Sequence, residues 1–145
     1  MRTVLALVLL PVCSAVAQTP LNRTLDAIAL DSVTWRPAGR GLEAAVIDGN
    51  PAVADAPYTM LLRLAPDSWI PPHTHNVAKR ILVLRGTLLV GHGSVLDSTA
   101  VTPMAQGGFV LVPAEHAHYE GARGETVVAL FGLGPLRTTF VTAAP

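Results

Sequence analysis

Short apolar runs, each closed by turn residues, dominate the hydrophobic pattern of this chain. Apart from the first residues, no segment of a dozen residues shows helical spacing without Gly or Pro. Runs of this length with regular turn signals are typical of an all-β sandwich or barrel. We therefore predict strands over residues 42–47, 58–64, 80–84, 87–90, 109–112, 126–131 and 137–141.

Several of these runs are apolar at consecutive positions, as in Thr126-Val127-Val128-Ala129-Leu130-Phe131. A strand that is apolar on both faces suits a small barrel that is packed inside and covered outside. The cover would be a second strand layer or a partner subunit. Residues 25–30 offer one helical turn, although an arm that packs on the domain fits the segment from about residue 18 better.

The first residues have the features of a secretory signal peptide. Arg2 precedes the apolar run from Val4 to Leu10, and Ala15-Val16-Ala17 provides a small-x-small cleavage site. The run is too short for a transmembrane helix, which needs roughly 20 apolar residues. We expect residues 1–17 to be a signal peptide, residues 18–40 an N-terminal arm and residues 41–145 the barrel domain. The mature protein would be periplasmic or secreted, with no membrane contact after cleavage.

Composition narrows the classes of function. Half of the 145 residues are hydrophobic, 14% are charged, and ten basic residues balance ten acidic ones. The chain has no basic stripe, which argues against nucleic-acid binding. The single cysteine, Cys13, lies in the predicted signal peptide, so a mature protein cleaved after Ala17 would have no cysteine nucleophile.

Four of the five histidines form two H-x-H pairs, His73 with His75 and His116 with His118. Alternate side chains of a strand point to the same face, so His73 and His75 would point together. Imidazole is a common ligand of Zn, Fe, Cu, Ni and Mn centres. Two histidines from one strand and one from a distant strand therefore predict a metal site inside a barrel. A single histidine in a loop would by contrast be a plain surface residue, which is how we interpret His92.

The first pair lies in a segment that resembles the first motif of the cupin superfamily, G-x5-H-x-H-x3,4-E-x6-G. His73, His75 and Gly86 match that motif, while Asp67 replaces its opening glycine and Lys79 replaces its glutamate. The segment from Gly107 resembles the second motif, G-x5-P-x-G-x2-H-x3-N. It matches at Gly107, Pro113 and His118, with Glu115 at the second glycine and Ala122 at the asparagine.

The resemblance covers roughly residues 40 to 141 and is strongest to small single-domain secreted bacterial cupins. It implies an antiparallel β-sandwich barrel of the jelly-roll type that holds one divalent transition metal (Fe, Mn, Zn, Ni or Cu). The implied metal ligands are His73, His75 and His118, with His116 as an alternative to His118. The resemblance also implies a small-molecule ligand or substrate, and pairing of two copies through outer strands into a homodimer.

Lys79 stands where the family has its fourth ligand, and it leaves three alternatives open. It shares the parity of His75, as do Ile81 and Val83, so it would face the barrel interior, while Arg80 would face outward. In the first alternative, three histidines hold the metal and Lys79 is neutral or turned away. In the second, another carboxylate replaces the missing glutamate, for which Glu120 is the best placed and Glu43 and Glu115 are weaker candidates. In the third, no metal binds, and three histidines and a lysine form a cationic hole for a small anion.

The metal-bound and metal-free alternatives predict functions of different classes. A metal centre would support an oxygenase or an isomerase acting on a small polar molecule, with Lys79 or Glu120 in proton transfer. Without metal, the barrel would be a binding module for a small anionic ligand, or a structural cupin whose site has decayed. Trp69, just before the first pair, would either line the pocket or only pack against its neighbours.

Overall fold

The computed structural model describes residues 27–141, and it is an all-β structure with almost no helix. The predicted signal peptide lies outside these residues. A single turn of 3-10 helix spans Leu30–Ser32, and none of the described helical segments is long enough to cross a membrane. Nine strands follow: β1 (Arg36–Gly39), β2 (Leu42–Gly49), β3 (Pro57–Leu64), β4 (Trp69–His75), β5 (Lys79–His92), β6 (Val101–Ala105), β7 (Phe109–Val112), β8 (His118–Leu133) and β9 (Thr138–Phe140).

All strand pairs are antiparallel, and together they form one curled sheet that closes into a half-barrel. β5 and β8 pair along their whole lengths and are shared by both layers of the curl. The first layer continues through β3, β2 and β1 on one side and β7 on the other. The second layer consists of β9, β4, the first half of β8, the second half of β5, and β6. This arrangement confirms the predicted jelly-roll barrel.

Two glycines let the long strands bend from one layer into the other. Gly86 in β5 has φ of +80° and Gly124 in β8 has φ of +72°, both in the left-handed region that favours glycine. Between the bends, the buried hydroxyl of Thr126 accepts a hydrogen bond from the backbone N–H of Thr87 and lies 3.1 Å from the Thr87 carbonyl. The predicted break at Gly86 is therefore wrong: β5 is one strand, and the glycine marks a bulge within it.

Inward-facing side chains of the two layers form the core. It includes Leu64, Ile81, Val83, Leu88, Val90, Val112, Ala122, Val128 and Leu130. Lys79 is buried in the same alternation as Ile81 and Val83, while Arg80 is exposed, as the parity of the sequence predicts. Burial of this apolar surface is the main stabilising contribution to the fold.

The predicted arm is divided in the structure: residues 31–35 pack on the outside of the barrel, while residues 36–39 form β1 of the sheet. The guanidinium of Arg63 lies 4.7 Å from the ring centre of Trp35, and Arg85 forms an ion pair with Asp31. The pattern of apolar runs did not predict β1, β4 or β6. Of these, β4 matters for the site, because its prolines, Pro71 and Pro72, lie directly before His73.

Candidate metal centre

Three histidines from two neighbouring strands converge inside the barrel. His73 and His75 occupy the end of β4, and His118 begins β8 directly opposite His73. All three are buried, and each offers a ring nitrogen that lies within 4.8 Å of the others. The ring centres of His73 and His118 are 4.2 Å apart. The three residues that the sequence predicts as ligands are therefore brought together.

The hydrogen bonds of the ring nitrogens orient these histidines for metal binding. Nδ1 of His73 lies 2.8 Å from the carbonyl of Pro71, and Nδ1 of His118 lies 2.8 Å from the carbonyl of His116. A carbonyl only accepts, so each Nδ1 carries the proton and each Nε2 keeps a free lone pair. Metal-binding histidines commonly donate their second ring N–H in this way.

Two of the ring nitrogens in the cluster have no hydrogen-bond partner within residues 27–141. Nε2 of His75 and Nε2 of His118 are both buried without one in this part of the chain, while Nδ1 of His75 lies 3.1 Å from the hydroxyl of Thr138. A buried polar atom left unpaired costs free energy, so native structures rarely keep two side by side. A metal ion bound by both atoms would remove this cost, and the residues present therefore fit a metal.

The pKa values keep the imidazoles in the neutral form that a metal requires. Burial, followed by the Lys79 ammonium, lowers the pKa of His75 to about 3. Burial lowers the pKa of His118 to about 4, against the opposing effect of Glu120. Burial also lowers the pKa of His73. No proton has to be displaced from these rings near neutral pH before a metal binds.

Glu120 lies beside the histidines, at the position that the second sequence alternative favours. One carboxylate oxygen of Glu120 is 3.5 Å from Nε2 of His73, and the other is 3.6 Å from Nε2 of His118. The other candidates lie elsewhere: Glu43 pairs with Arg63 on the outside of the sheet, and Glu115 is exposed in a turn.

Lys79 points into the same cluster and pairs with Glu120. Its Nζ donates a hydrogen bond to Oε1 of Glu120 at 3.1 Å, and both side chains are buried. Burial alone would raise the pKa of Glu120, but the Lys79 ammonium, together with His118 and His73 where these are protonated at low pH, outweighs burial and lowers the pKa to about 2. The cluster thus holds one cation and one anion, and it is not the cationic hole of the third sequence alternative.

A cavity of about 320 Å³ opens onto this cluster, near the lower end of the range of roughly 300–1,000 Å³ that is usual for small-molecule sites. His73, His75, Lys79 and Glu120 line its polar part. Apolar side chains from β2, β3, β4 and β8 form most of the wall, which Arg40 and Phe140 complete. No motif or spacing in the sequence marks Arg40 as a cavity residue.

The remaining sequence candidates lie outside the cavity. The rings of the exposed His92 and His116 contact each other, with Nδ1 of His92 3.1 Å from Nε2 of His116, so His116 does not replace His118. Trp69 packs against Tyr119 and closely over Gly121, and it does not line the cavity. Of the two interpretations of Trp69, plain packing is the one the structure supports.

Comparisons with known proteins agree with this fold. The family model described as the ChrR cupin-like domain matches residues 24–137. No match was found among curated proteins. Among solved structures, the polyketide cyclase RemF from Streptomyces resistomycificus is 16% identical with a TM-score of 0.62, covering 83% of this chain and 89% of that one.

Two further structures are similar at comparable identity. A putative acetylacetone dioxygenase from Methylibium petroleiphilum PM1 is 18% identical with a TM-score of 0.62, covering 87% of each chain. A chain in the complex of Rhodobacter sphaeroides SigE with the anti-sigma ChrR is 19% identical with a TM-score of 0.56, covering 71% of this chain. This chain spans half the length of that match. The fold and the family match over residues 24–137 together show that the chain belongs to the ChrR cupin-like domain family of the cupin superfamily.

Proposed function

We propose that this protein is a metal-dependent cupin that acts on a small molecule, with one divalent transition metal held by His73, His75 and His118. The observation that carries the proposal is the pair of buried Nε2 atoms of His75 and His118, which lie beside His73 and have no hydrogen-bond partner in the described part of the chain. Buried imidazoles with Nδ1 fixed by carbonyl acceptors are typical of metal ligands. Glu120 is the fourth ligand available to the same ion, since its oxygens lie next to two of the three histidines.

The chemistry of the proposed reaction is that of an oxygenase or an isomerase. A bound metal would supply Lewis acidity to a substrate oxygen at the open positions of the site. The polyketide cyclase and the putative acetylacetone dioxygenase named above support the view that this barrel hosts chemistry on small organic molecules.

The chain's own residues would position and protonate the substrate. Lys79 reaches the cavity and holds its proton at Nζ, where it is shared with Oε1 of Glu120. A substrate oxygen that gains negative charge beside this pair would take a hydrogen bond or a proton from Nζ. The apolar wall around the pair would exclude bulk water and strengthen this interaction. Lys79 and Glu120 are therefore the proposed proton-transfer residues.

Metal analysis of the purified full-length protein tests the proposal. We expect about one transition metal ion per chain in the wild type and loss of that ion in the His73→Ala/His75→Ala double variant. A His92→Ala/His116→Ala variant is a matched control, because it removes two exposed histidines outside the cluster. Equal, negligible metal in all three proteins would remove the metal centre and favour the second candidate, a metal-free binding module. The cavity beside the Lys79–Glu120 pair is the observation that favours this second candidate.

We further propose that the mature protein works in the periplasm or is secreted. The support is the sequence of residues 1–17, which lies outside the described residues. Expression of the full-length chain in a bacterial host, with N-terminal sequencing of the periplasmic fraction, tests this directly. The expected first residue is Gln18, while an intact Met1 in the cytoplasm would contradict it.

Two copies are proposed to pair through β7, by the exposed side chains and the free edge of this strand. Phe109 and Leu111 are 51% and 57% exposed on this strand, and the ring of Phe109 lies 6.3 Å from that of Phe131. Among the described strands, β7 pairs only with β5, so its other edge is free to pair with a second copy. We expect the wild type to have the mass of a dimer by light scattering and a Leu111→Lys variant to have that of a monomer. A wild-type monomer would contradict the pairing.

A further inference from the structure

The two cations that line the cavity differ in whether they have a partner. Lys79, in the cluster, is neutralised by Glu120. Arg40, on the solvent side, lies within ion-pair distance of no carboxylate in residues 27–141. Arginine stays ionised in proteins, so Arg40 is a positive charge of the lining that no carboxylate of the described residues compensates, and its exposed side chain lies at the entrance.

The local backbone projects Arg40 over this entrance. Gly39, Arg40 and Gly41 have φ values of +81°, +54° and +74°, a left-handed turn between β1 and β2. The Cζ atom of Arg40 lies 5.1 Å from the ring centre of Phe140. No side-chain hydrogen bond of this guanidinium is found among residues 27–141, and its N–H groups match a carboxylate in a bidentate arrangement.

The wall between the entrance and the cluster is apolar. It is formed by Leu42, Met60, Leu62, Ile70, Leu130 and Leu136. Such a wall stabilises a hydrocarbon body by removing its apolar surface from water. These six side chains offer no hydrogen bonds to a polyol or a sugar, and the lining hydroxyl of Thr138 already contacts Nδ1 of His75.

We propose that the cavity selects small organic carboxylates with an apolar body, and that Arg40 binds the carboxylate at the entrance. The apolar body fills the cavity and places its far end against His73, His75 and the Lys79–Glu120 pair. This inference deepens the proposed function, because it takes the same cavity as the substrate pocket. It assigns to Arg40 the selection of negatively charged substrates over neutral ones.

Calorimetric binding of two matched probes to chelator-treated full-length protein tests the inference. The probes are 3-phenylpropionate and its neutral counterpart 3-phenylpropan-1-ol. We expect the wild type to bind the acid about tenfold more tightly than the alcohol, since hydrogen bonds between charged groups are the stronger ones. Arg40→Gln should lower the affinity for the acid by about tenfold and leave the affinity for the alcohol unchanged.

Arg36→Gln is the matched control, because Arg36 is an exposed arginine of β1 that does not line this cavity. It should bind both probes like the wild type. Equal affinities for acid and alcohol in the wild type, an acid affinity that survives Arg40→Gln, or no binding of either probe would each overturn the inference. The use of metal-free protein separates this result from the proposed function. An Arg40-dependent preference for the acid in a protein that never takes up metal would support the carboxylate pocket and contradict the metal centre.

Discussion

The ammonium of Lys79 and the carboxylate of Glu120 are 3.1 Å apart inside the barrel, although the residues are 41 positions apart in the sequence. Lys79 begins β5 and Glu120 lies on β8, two residues after His118. The glutamate that the cupin motif places at position 79 is thus absent, and a carboxylate from another strand lies beside the histidines. The site therefore has a carboxylate next to two imidazoles, and the Lys79 ammonium forms an ion pair with that same carboxylate.

Removal of the amine should destabilise the metal-free protein. In a Lys79→Met variant the carboxylate of Glu120 would be buried without its partner, and breaking a buried pair in this way costs about 3–5 kcal/mol. Urea unfolding in the presence of a chelator measures the change. Arg80→Met is the control, because Arg80 is the exposed neighbour of Lys79 and its loss should cost less than about 1 kcal/mol. A loss below about 1 kcal/mol in Lys79→Met would show that the pair contributes little.

Reversal of the charge at the same position should strengthen metal binding. Lys79→Glu removes a cation near the histidines and restores the acid of the family motif. At about 4 Å and an effective dielectric near 20, one unit charge contributes about 4 kcal/mol, so a gain of at least about tenfold in metal affinity is expected. Competition with a chromogenic chelator measures this gain. Arg80→Glu makes the same change on the outer face and should leave the affinity as it is; an unchanged affinity in Lys79→Glu would show that residue 79 does not act on the site.

The two histidines of the second pair should differ in their effect on metal content. His118 is buried in the cluster, while His116 is exposed and contacts His92. His118→Ala should lose the metal, because it removes one of the three imidazole ligands and leaves a cavity in its place. His116→Ala should retain it, since the backbone carbonyl that accepts from His118 is unchanged. Elemental analysis of both variants measures the metal content. More metal in His118→Ala than in His116→Ala would contradict this assignment.

The sequence predicted the fold well where its signals were local. Apolar runs bounded by turn residues located β2, β3 and β7 closely, and the alternation of side chains along a strand placed Lys79 inward and Arg80 outward. It did not predict β4, because Pro71 and Pro72 interrupt the pattern, and prolines are uncommon within strands. It also divided β5 at Gly86, since periodicity alone does not distinguish a turn from a bulge.

The histidines of the site were predictable, and their surroundings were less so. The H-x-H spacing and the family motifs identified His73, His75 and His118, and parity identified Glu120. The pairing of Lys79 with Glu120 depends on how the paired strands β5 and β8 curl, so that these two side chains meet inside the barrel, which no local pattern encodes. Arg40 and Phe140 meet only because the first and last strands lie at the same opening, so neither residue has a sequence signal.

At two positions where the cupin motifs have glycine, this chain has another residue in a backbone conformation that favours glycine. Asp67 and Glu115 stand at those positions, and both adopt positive φ, +58° and +59°. A non-glycine residue in this region costs roughly 1–2 kcal/mol, part of which is offset by the greater freedom of glycine in the unfolded chain. Glu115→Gly should therefore raise the free energy of unfolding by up to about 1 kcal/mol. Urea unfolding measures it, and Glu125→Gly, at an exposed strand position with no positive φ, should instead lower stability.

The metal-free protein should lose stability as the pH falls below 6.5. The pKa of His75 is lowered from 6.5 to about 3 and that of His118 to about 4, so between these values the unfolded chain binds more protons than the folded one. The contribution of each histidine is complete above pH 6.5 and decreases by about 1.4 kcal/mol per pH unit as the pH falls toward the folded pKa. Glu120, with its pKa lowered to about 2, extends the loss below pH 4.5. Urea unfolding between pH 7 and pH 5 in a chelator measures this slope, and His75→Gln should flatten it, because the proton-binding difference of His75 is then gone. A slope that stays the same in His75→Gln would show that this ring is not held neutral by the barrel.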